Sequence, residues 1–487
     1  MNKHIYNELI TKIRTTKKSI LVIGDLMLDQ YIFGEIDRIS PEAPVPILKA
    51  KRIENRLGGA GNVANNLINL GVQTTLIGAI GNDTNGQSFL DLLKTKKIKS
   101  NLVFKKSDRT TTKVRSIASN QQLIRQDFDS NSISLNKNDE QKIINQITKN
   151  ISIIILSDYA KGFLTDDLSQ KIIKKANKNG VKVIADPKAS NMDKYRESFA
   201  ITPNNKEALL FTGIDNNDNK HEKHLIQLIQ KNHIDNLIVT NGEKGISLFT
   251  AKSKKQFPAI SPKQVFDVSG AGDTVIATIA TALHVGLDME TSIQLANLTA
   301  GIVIQKIGTE AINLNDLESY IFENDLNGNH EKIFSAEKIL EIVKILKKNH
   351  KSVGFTNGCF DILHSGHVTY LAEAKKQVDF LILALNTDHS IKKIKGPLRP
   401  IVDEQNRAKV LAGLSSVDAI VFFNENTPIK LIKLIQPDLL IKGNDYKVSE
   451  VVGHKEIKKW KGEVKLIELI PGQSSSNIIK KINQSES

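Results

Sequence analysis

Two short stretches hold residues whose types and spacing suit chemistry. In GCFDILHSGHVTYL, His364 and His367 stand three apart with Gly366 between them. In DVSGAGDT (Asp267–Thr274), Gly270, Ala271 and Gly272 lead directly to Asp273. The second stretch reads as a loop that becomes a helix near Gly270. The first N–H groups of a helix have no internal partner, and with the positive end of the dipole they hold anions. Small residues let a ligand approach that backbone closely. A carboxylate beside such a nest repels phosphate, so Asp273 needs a reason to be there. Taking the proton from a hydroxyl that attacks a phosphoryl group is one reason. An ordinary acid in a helix's first turn is the other, and the motif alone does not choose.

The histidine pair admits three readings. At i and i+3 the rings could share a metal, yet no second His/Cys pair stands nearby at finger-like spacing, and Cys359 is the only thiol. They could be packing residues at a helix start. The reading favoured by the local pattern is phosphate binding where a strand, a glycine turn and a helix meet. A third glycine-rich run, GGAGNVANNLINLG (Gly58–Gly71), matches G-x-G-x-x-A from Gly59 to Ala64. It follows the polar segment KRIENRL and not a buried strand, which argues against a dinucleotide fold and for a sugar site built from backbone and Asn62 amides. No G-x-x-x-x-G-K-[ST] occurs, so a P-loop kinase is excluded.

These motifs need elements to hold them. Ser19–Asp25, Thr74–Gly81, Ile151–Asp158, Val181–Asp186 and Asn236–Gly242 are short β-branched runs that read as buried parallel strands. Helical stretches such as DLSQKIIKKANKNG lie between them, and the alternation predicts α/β architecture. The pattern loosens at ENDLNGNH (Glu323–His330) and resumes with SVGFTNG, FLILALN, AIVFF and LLIKG. We expect a first domain at 1–328, a linker and leading helix at 329–349, and a second domain at 350–487.

The chain has 487 residues, 40% hydrophobic and 25% charged, which suits globular domains. A net charge of +14 raises the question of nucleic acid, but aromatics are only 5%, too few for many base-stacking platforms. The excess equally suits phosphorylated small molecules. The N-terminus does not read as a signal peptide, no run approaches a membrane span, and a single cysteine allows no internal disulfide. A cytoplasmic location is the expectation.

Residues 1 to about 320 resemble the ribokinase-like (PfkB) carbohydrate kinases. The matching pieces, in family order, are Gly24–Asp25, Gly58–Asn62, TPNNKE (Thr202–Glu207), TNGEKG (Thr240–Gly245) and DVSGAGDT. The resemblance implies Asp273 as catalytic base and Gly270, Ala271 and Gly272 as anion hole. It implies Asn204, Asn205, Lys206, Glu207, Thr240, Gly242 and Gly245 at ATP, with Asn204 and Glu207 near Mg²⁺. Asp25, Asp29, Gly58, Gly59 and Asn62 would hold the sugar.

The second part resembles the cytidylyltransferase-like nucleotidyltransferases through H-x-G-H and the later run GQSSSNIIKKI (Gly472–Ile482), where the family often has Ser-Thr-Thr. This implies a Rossmann-like domain that binds nucleotide and phosphate through Gly358, Phe360, Asp361, His364, Gly366, His367, Lys395, Arg399, Arg407, Lys442, Ser474, Ser475 and Ser476. Such transfer needs no general base, because a sugar phosphate is already an anion; it needs cations and donors around the reacting phosphates.

Nearly the whole chain resembles a family of bifunctional enzymes that join a heptose 7-phosphate kinase to a heptose 1-phosphate adenylyltransferase. GDLMLDQYIFGEIDRISPEAPVPIL, SDYAKG, ADPK and NTDHSIKKIKGPLRP carry that likeness. The family usually has Gly where Ala160 and Asn444 stand. The resemblance implies ATP as substrate of both domains, Mg²⁺, sugar phosphates as ligands, no nucleic acid or membrane partner, and a homodimer. Another sugar phosphate, CTP in place of ATP, or a basic nucleic-acid-binding protein are the alternatives.

Overall fold

The computed structural model describes residues 3–107, 109–119, 121–130, 133–188, 191–213, 220–260, 267–306, 310–320, 332–348 and 350–468. It divides into two compact units, Met1–Ile321 and Phe322–Ser487. The expected linker at 329–349 falls partly outside the described residues; its leading helix spans Ala336–Lys348. No described helix is long and apolar enough to cross a membrane.

In the first unit, β1 (Ser19–Gly24), β4 (Thr74–Gly81), β5 (Lys99–Ser107), β8 (Ile151–Ser157), β9 (Lys182–Asp186), β10 (Ala200–Ile201), β11 (Asn236–Thr240), β12 (Ile246–Phe249) and β13 (Lys254–Phe257) form one sheet. Its order is β13-β12-β11-β10-β9-β8-β1-β4-β5, and only β12 runs against the rest, antiparallel to both β11 and β13. In β1, Ile20 and Val22 join one hydrophobic cluster and Leu21 and Ile23 join another. A strand's side chains alternate between faces, so a strand covered on both faces must be apolar throughout. The Ala271–His284 helix lies in the first cluster and is buried continuously from Asp273 to Leu283. Its rigidity fixes where Asp273 sits.

The second sheet of this unit is β3-β2-β6-β7, from β2 (Leu26–Ile39), β3 (Pro46–Gly59), β6 (Thr112–Ala118) and β7 (Gln121–Phe128). It corrects the sequence reading of KRIENRL. That polar segment is a strand, but of this second sheet, whose far end is solvated. One-sided exposure allows charged side chains along it, so it lacks the apolar signature of the main sheet.

The second unit has five parallel strands: β14 (Val353–Gly358), β15 (Phe380–Asn386), β16 (Ala419–Phe423), β17 (Leu439–Gly443) and β18 (Glu463–Ile467). Their order is β16-β15-β14-β17-β18. The chain steps outward one way from β14 to β16 and the other way from β17 to β18. The crevice beyond the carboxyl ends of β14 and β17 is therefore the switch point where open α/β sheets take ligands.

Candidate active sites

A cleft of about 210 Å³ opens in the first unit at the carboxyl ends of β8 to β11. It is lined by Tyr159, Asp186, Lys188, Thr202, Asn204, Glu207, Thr240, Gly270, Gly272 and Asp273. Gly270 caps the Ala271–His284 helix with φ 80, a left-handed conformation that glycine adopts without steric cost. A Cβ on Gly272 would meet nothing within 4 Å, so the helix start is open to a ligand.

Asp273 is 4% exposed. One carboxylate oxygen accepts from Asn62 Nδ2 at 2.7 Å and the other from the Tyr159 hydroxyl at 2.7 Å. Burial raises its pKa to about 6, while the Tyr159 and Asn62 donors pull the other way. Tyr159, pushed well up by burial and by Asp273, stays a phenol and donates. Asp186, at the end of β9, is pushed up to about 8 by burial and then by Asp273 and Glu207. Lys188 pairs with Glu207; although burial opposes its charge, Glu207, Asp186 and Asp273 raise its pKa.

The Asp158–Phe163 loop that carries Tyr159 is tied down by buried carboxylates. Asp25 is 0% exposed and accepts from the N–H groups of Tyr159, Lys161 and Phe163 at 2.7, 3.1 and 3.2 Å. Asp158 accepts from Ala160 N–H at 2.8 Å and the Tyr195 hydroxyl at 2.6 Å, and pairs with buried Lys194.

In the second unit His364 is the N-cap of the Ser365–Lys376 helix. The His364 and His367 rings stack with centroids 3.9 Å apart, and Phe360 lies 4.9 Å from His367. His364 Nδ1 and Nε2 and His367 Nδ1 are shielded from solvent without a hydrogen-bond partner. Burial, then the neighbouring His364, lowers the His367 pKa to about 4. Lys442, at the end of β17, donates to Asn357 O at 2.8 Å, and burial lowers its pKa to about 8. Among the described residues no group of three or more His, Cys, Asp or Glu side chains could hold a metal ion. Two stacked imidazoles with unpartnered nitrogens stand at a helix start, and Lys442 lies at the end of β17, a setting suited to a polyphosphate.

The pfkB family carbohydrate kinases match residues 17–316 and the cytidylyltransferase-like family matches 355–482. A bifunctional protein HldE from Aliarcobacter butzleri is 44% identical over 475 residues, covering 96% of this chain and 98% of that one. The HldE of Methylobacillus flagellatus is 42% identical over 471 residues, covering 95% and 96%. The chain belongs to the bifunctional HldE family. Among solved structures, Escherichia coli phosphofructokinase-2 in complex with potassium superposes with TM-score 0.54 at 18% identity, covering 63% of this chain and 99% of that one. A Thermotoga maritima ribokinase gives 0.50 at 20% identity, with 63% and 99% covered. Those likenesses establish the kinase fold of the first unit. As an HldE-family chain the protein is a bifunctional sugar kinase and nucleotidyltransferase.

Of the residues expected at the HldE kinase site, the cleft gathers Asp273, Gly270, Gly272, Asn204, Glu207 and Thr240. Ala271 is the first residue of the helix. Asn62 meets the Asp273 carboxylate directly. Asn204 and Glu207 form a capping box on the Asn205–Thr212 helix, so the Asn204 side-chain oxygen is committed to the Glu207 N–H. Asn205 and Lys206 lie on that first turn, and Lys206 is exposed. Gly242 and Gly245 shape the turn after β11, both at positive φ. Asp25 braces the loop, and Asp29 forms a buried ion pair with Arg115 at 2.7 Å. Gly58 and Gly59 are required by close approach, since a Cβ would fall 2.7 Å from Asp29 Oδ2 or 2.5 Å from Asp25 O.

In the HldE transferase unit Lys395 is exposed. Asp361 pairs with Arg399 at 2.8 Å and accepts from Ile401 N–H at 2.7 Å. Arg407 is 2% exposed and donates to the carbonyls of Val402, Cys359 and Asn386 and to Asp388. Arg407 thus braces the turn in this geometry and does not present its guanidinium to a ligand. A Cβ on Gly358 would strike the Phe360 ring at 2.7 Å. Gly366 is buried in the first turn of the helix. Ser474, Ser475 and Ser476 lie outside the described residues. The sequence reading missed Tyr159, Asp186 and Lys188. SDYAKG and ADPK marked the resemblance, and the signal was polar residues at the carboxyl ends of predicted strands.

Proposed function

We propose that the first unit phosphorylates C1 of D-glycero-D-manno-heptose 7-phosphate, giving the 1,7-bisphosphate, and that the second joins AMP from ATP to heptose 1-phosphate. The second reaction yields ADP-heptose and releases pyrophosphate. One observation carries the kinase reading: a buried carboxylate with a raised pKa, held by two donors, stands at an open helix start. In the reaction Asp273 takes the C1 hydroxyl proton as the oxygen bonds to the γ-phosphorus and ADP departs. Tyr159 and Asn62 orient the acceptor oxygen pair. The N–H groups of the helix start receive charge from the phosphoryl oxygens.

Asp186 and Glu207 would hold the Mg²⁺ that accompanies the nucleotide, because their mutual repulsion with Asp273 is relieved by a cation. When bound, that ion supplies positive charge to the transferring phosphoryl group. Asn204, committed to its cap, is the weaker partner for it.

In the second unit the attacking sugar phosphate needs no base. His364, His367, Lys395 and Lys442 would stabilise the α-phosphate and the departing pyrophosphate, and the unpartnered ring nitrogens support this assignment. The two reactions are not consecutive, because the 7-phosphate must be removed between them. The intermediate therefore leaves and returns. The cytoplasm, where ATP and sugar phosphates occur, is the fitting location, and a homodimer is the assembly the family resemblance favours. Mass spectrometry of products from ATP, Mg²⁺ and heptose 7-phosphate or 1-phosphate tests the function. Equal turnover of ribose or fructose 6-phosphate, or of CTP in the second step, would overturn the substrate assignment.

A further inference from the structure

On the second sheet of the first unit and the loop beside it, several cations already have a carboxylate. Arg115 pairs with Asp29 at 2.7 Å, Lys161 with Asp129 at 2.7 Å, Arg125 with Asp127 at 2.9 Å and Arg56 with Glu54 at 3.1 Å. Lys113 differs. It is half-buried on β6, directly opposite Asp29 on β2 and Asp127 on β7. Both of those acids are engaged elsewhere. Among the described residues Lys113 forms no ion pair or hydrogen bond; its ammonium lies 5.6 Å from the centroid of the Tyr159 ring. Tyr159 in turn donates to Asp273, and Lys113 is close enough to the base to pull its carboxyl pKa down.

A half-buried ammonium without a counter-ion is costly, and burial pulls its own pKa down despite Asp29 and Asp127. Lys188, 5.9 Å from the same ring, already has Glu207 and lines the cleft at the helix start. The fold therefore keeps a second, unspent cation beside the base, on the sheet that carries Asp29. We propose that Lys113 binds the phosphate that the sugar already bears, and so makes the kinase selective for a phosphorylated sugar over its free form. This deepens the reading given above and rests on it. The ligand class is a sugar phosphate monoester, whose dianion would be the missing partner of the ammonium.

Kinase kinetics of the full chain test the inference, with heptose 7-phosphate and unphosphorylated heptose compared in wild type, Lys113→Met, Lys113→Gln and Lys113→Arg. For Met and Gln the ratio of kcat/KM, phosphorylated over free sugar, is expected to fall about tenfold or more, mostly through KM. Arg, which keeps the charge, should recover part of the ratio. Melting temperatures close to wild type for any one of the neutral variants make the comparison valid. An unchanged ratio in a folded neutral variant, or an equal loss on both sugars, would overturn the inference while leaving the function standing. A wild-type enzyme inactive on heptose 7-phosphate would overturn both.

Discussion

At the scale of single residues, the Asp273 carboxylate, proposed above as the base, is set by its surroundings. Asp273 must be ionised to take a proton, and its pKa near 6 lies above the ordinary carboxylate value. The active fraction therefore shrinks as pH falls through about 6. We expect kcat/KM of the kinase to fall with unit slope below that pH. Asp273→Asn should reduce kinase turnover by about 10²–10⁴-fold and leave adenylyl transfer intact. Tyr159→Phe removes a donor that stabilises the ionised form, so the acid limb should move to higher pH by about one unit. In the second unit, His367 should titrate near pH 4 when empty, and ATP should shift that titration upward, since a polyanion favours the imidazolium. Nuclear magnetic resonance of the ring protons reads this directly. An unmoved titration would mean that the histidines do not face the phosphates, and His367→Ala would then leave adenylyl transfer unharmed.

At the scale of elements, the loop after β8 decides whether Tyr159 reaches Asp273. Its conformation costs something: Ala160 has φ 54, where a Cβ is strained. Asp158, Lys194 and Tyr195 hold it in place from below, all of them buried. Removing the acid strands a buried ammonium, so Asp158→Ala should destabilise the first unit by about 3–5 kcal/mol and lower its melting temperature. Ala160→Gly relieves the left-handed strain and should raise stability by about 1 kcal/mol after the entropy of glycine is counted. Asp25, which accepts three N–H bonds from the same loop, belongs with these positioning residues.

At the scale of the molecule, each unit has its own hydrophobic clusters, and each assigned site is built wholly from one unit. Silencing one activity should spare the other. Because the intermediate must leave, a mixture of Asp273→Asn and His367→Ala chains should make ADP-heptose from heptose 7-phosphate as well as half the amount of wild type does, given ATP, Mg²⁺ and a 7-phosphatase. Mass spectrometry of the mixture checks this, and failure of the mixture with each half active alone would argue for transfer within one chain.

Local pattern was enough for part of this. Runs such as ILVIG and LILAL are apolar at every position because both faces of their sheets are covered, so the parallel strands and the α/β class are legible in the chain. So are the helix starts that carry Asp273 and the histidine pair, because a helix start announces itself through small residues and spacing. The second sheet is not legible, since its strands are half solvated and carry charges in place of an apolar signature. Nor did the chain reveal that Asp25 and Arg407 would be consumed by backbone groups while Lys113 would be left without a partner. Such outcomes depend on which side chains arrive from strands far apart in sequence, and only tertiary packing brings those groups within a few ångströms of each other.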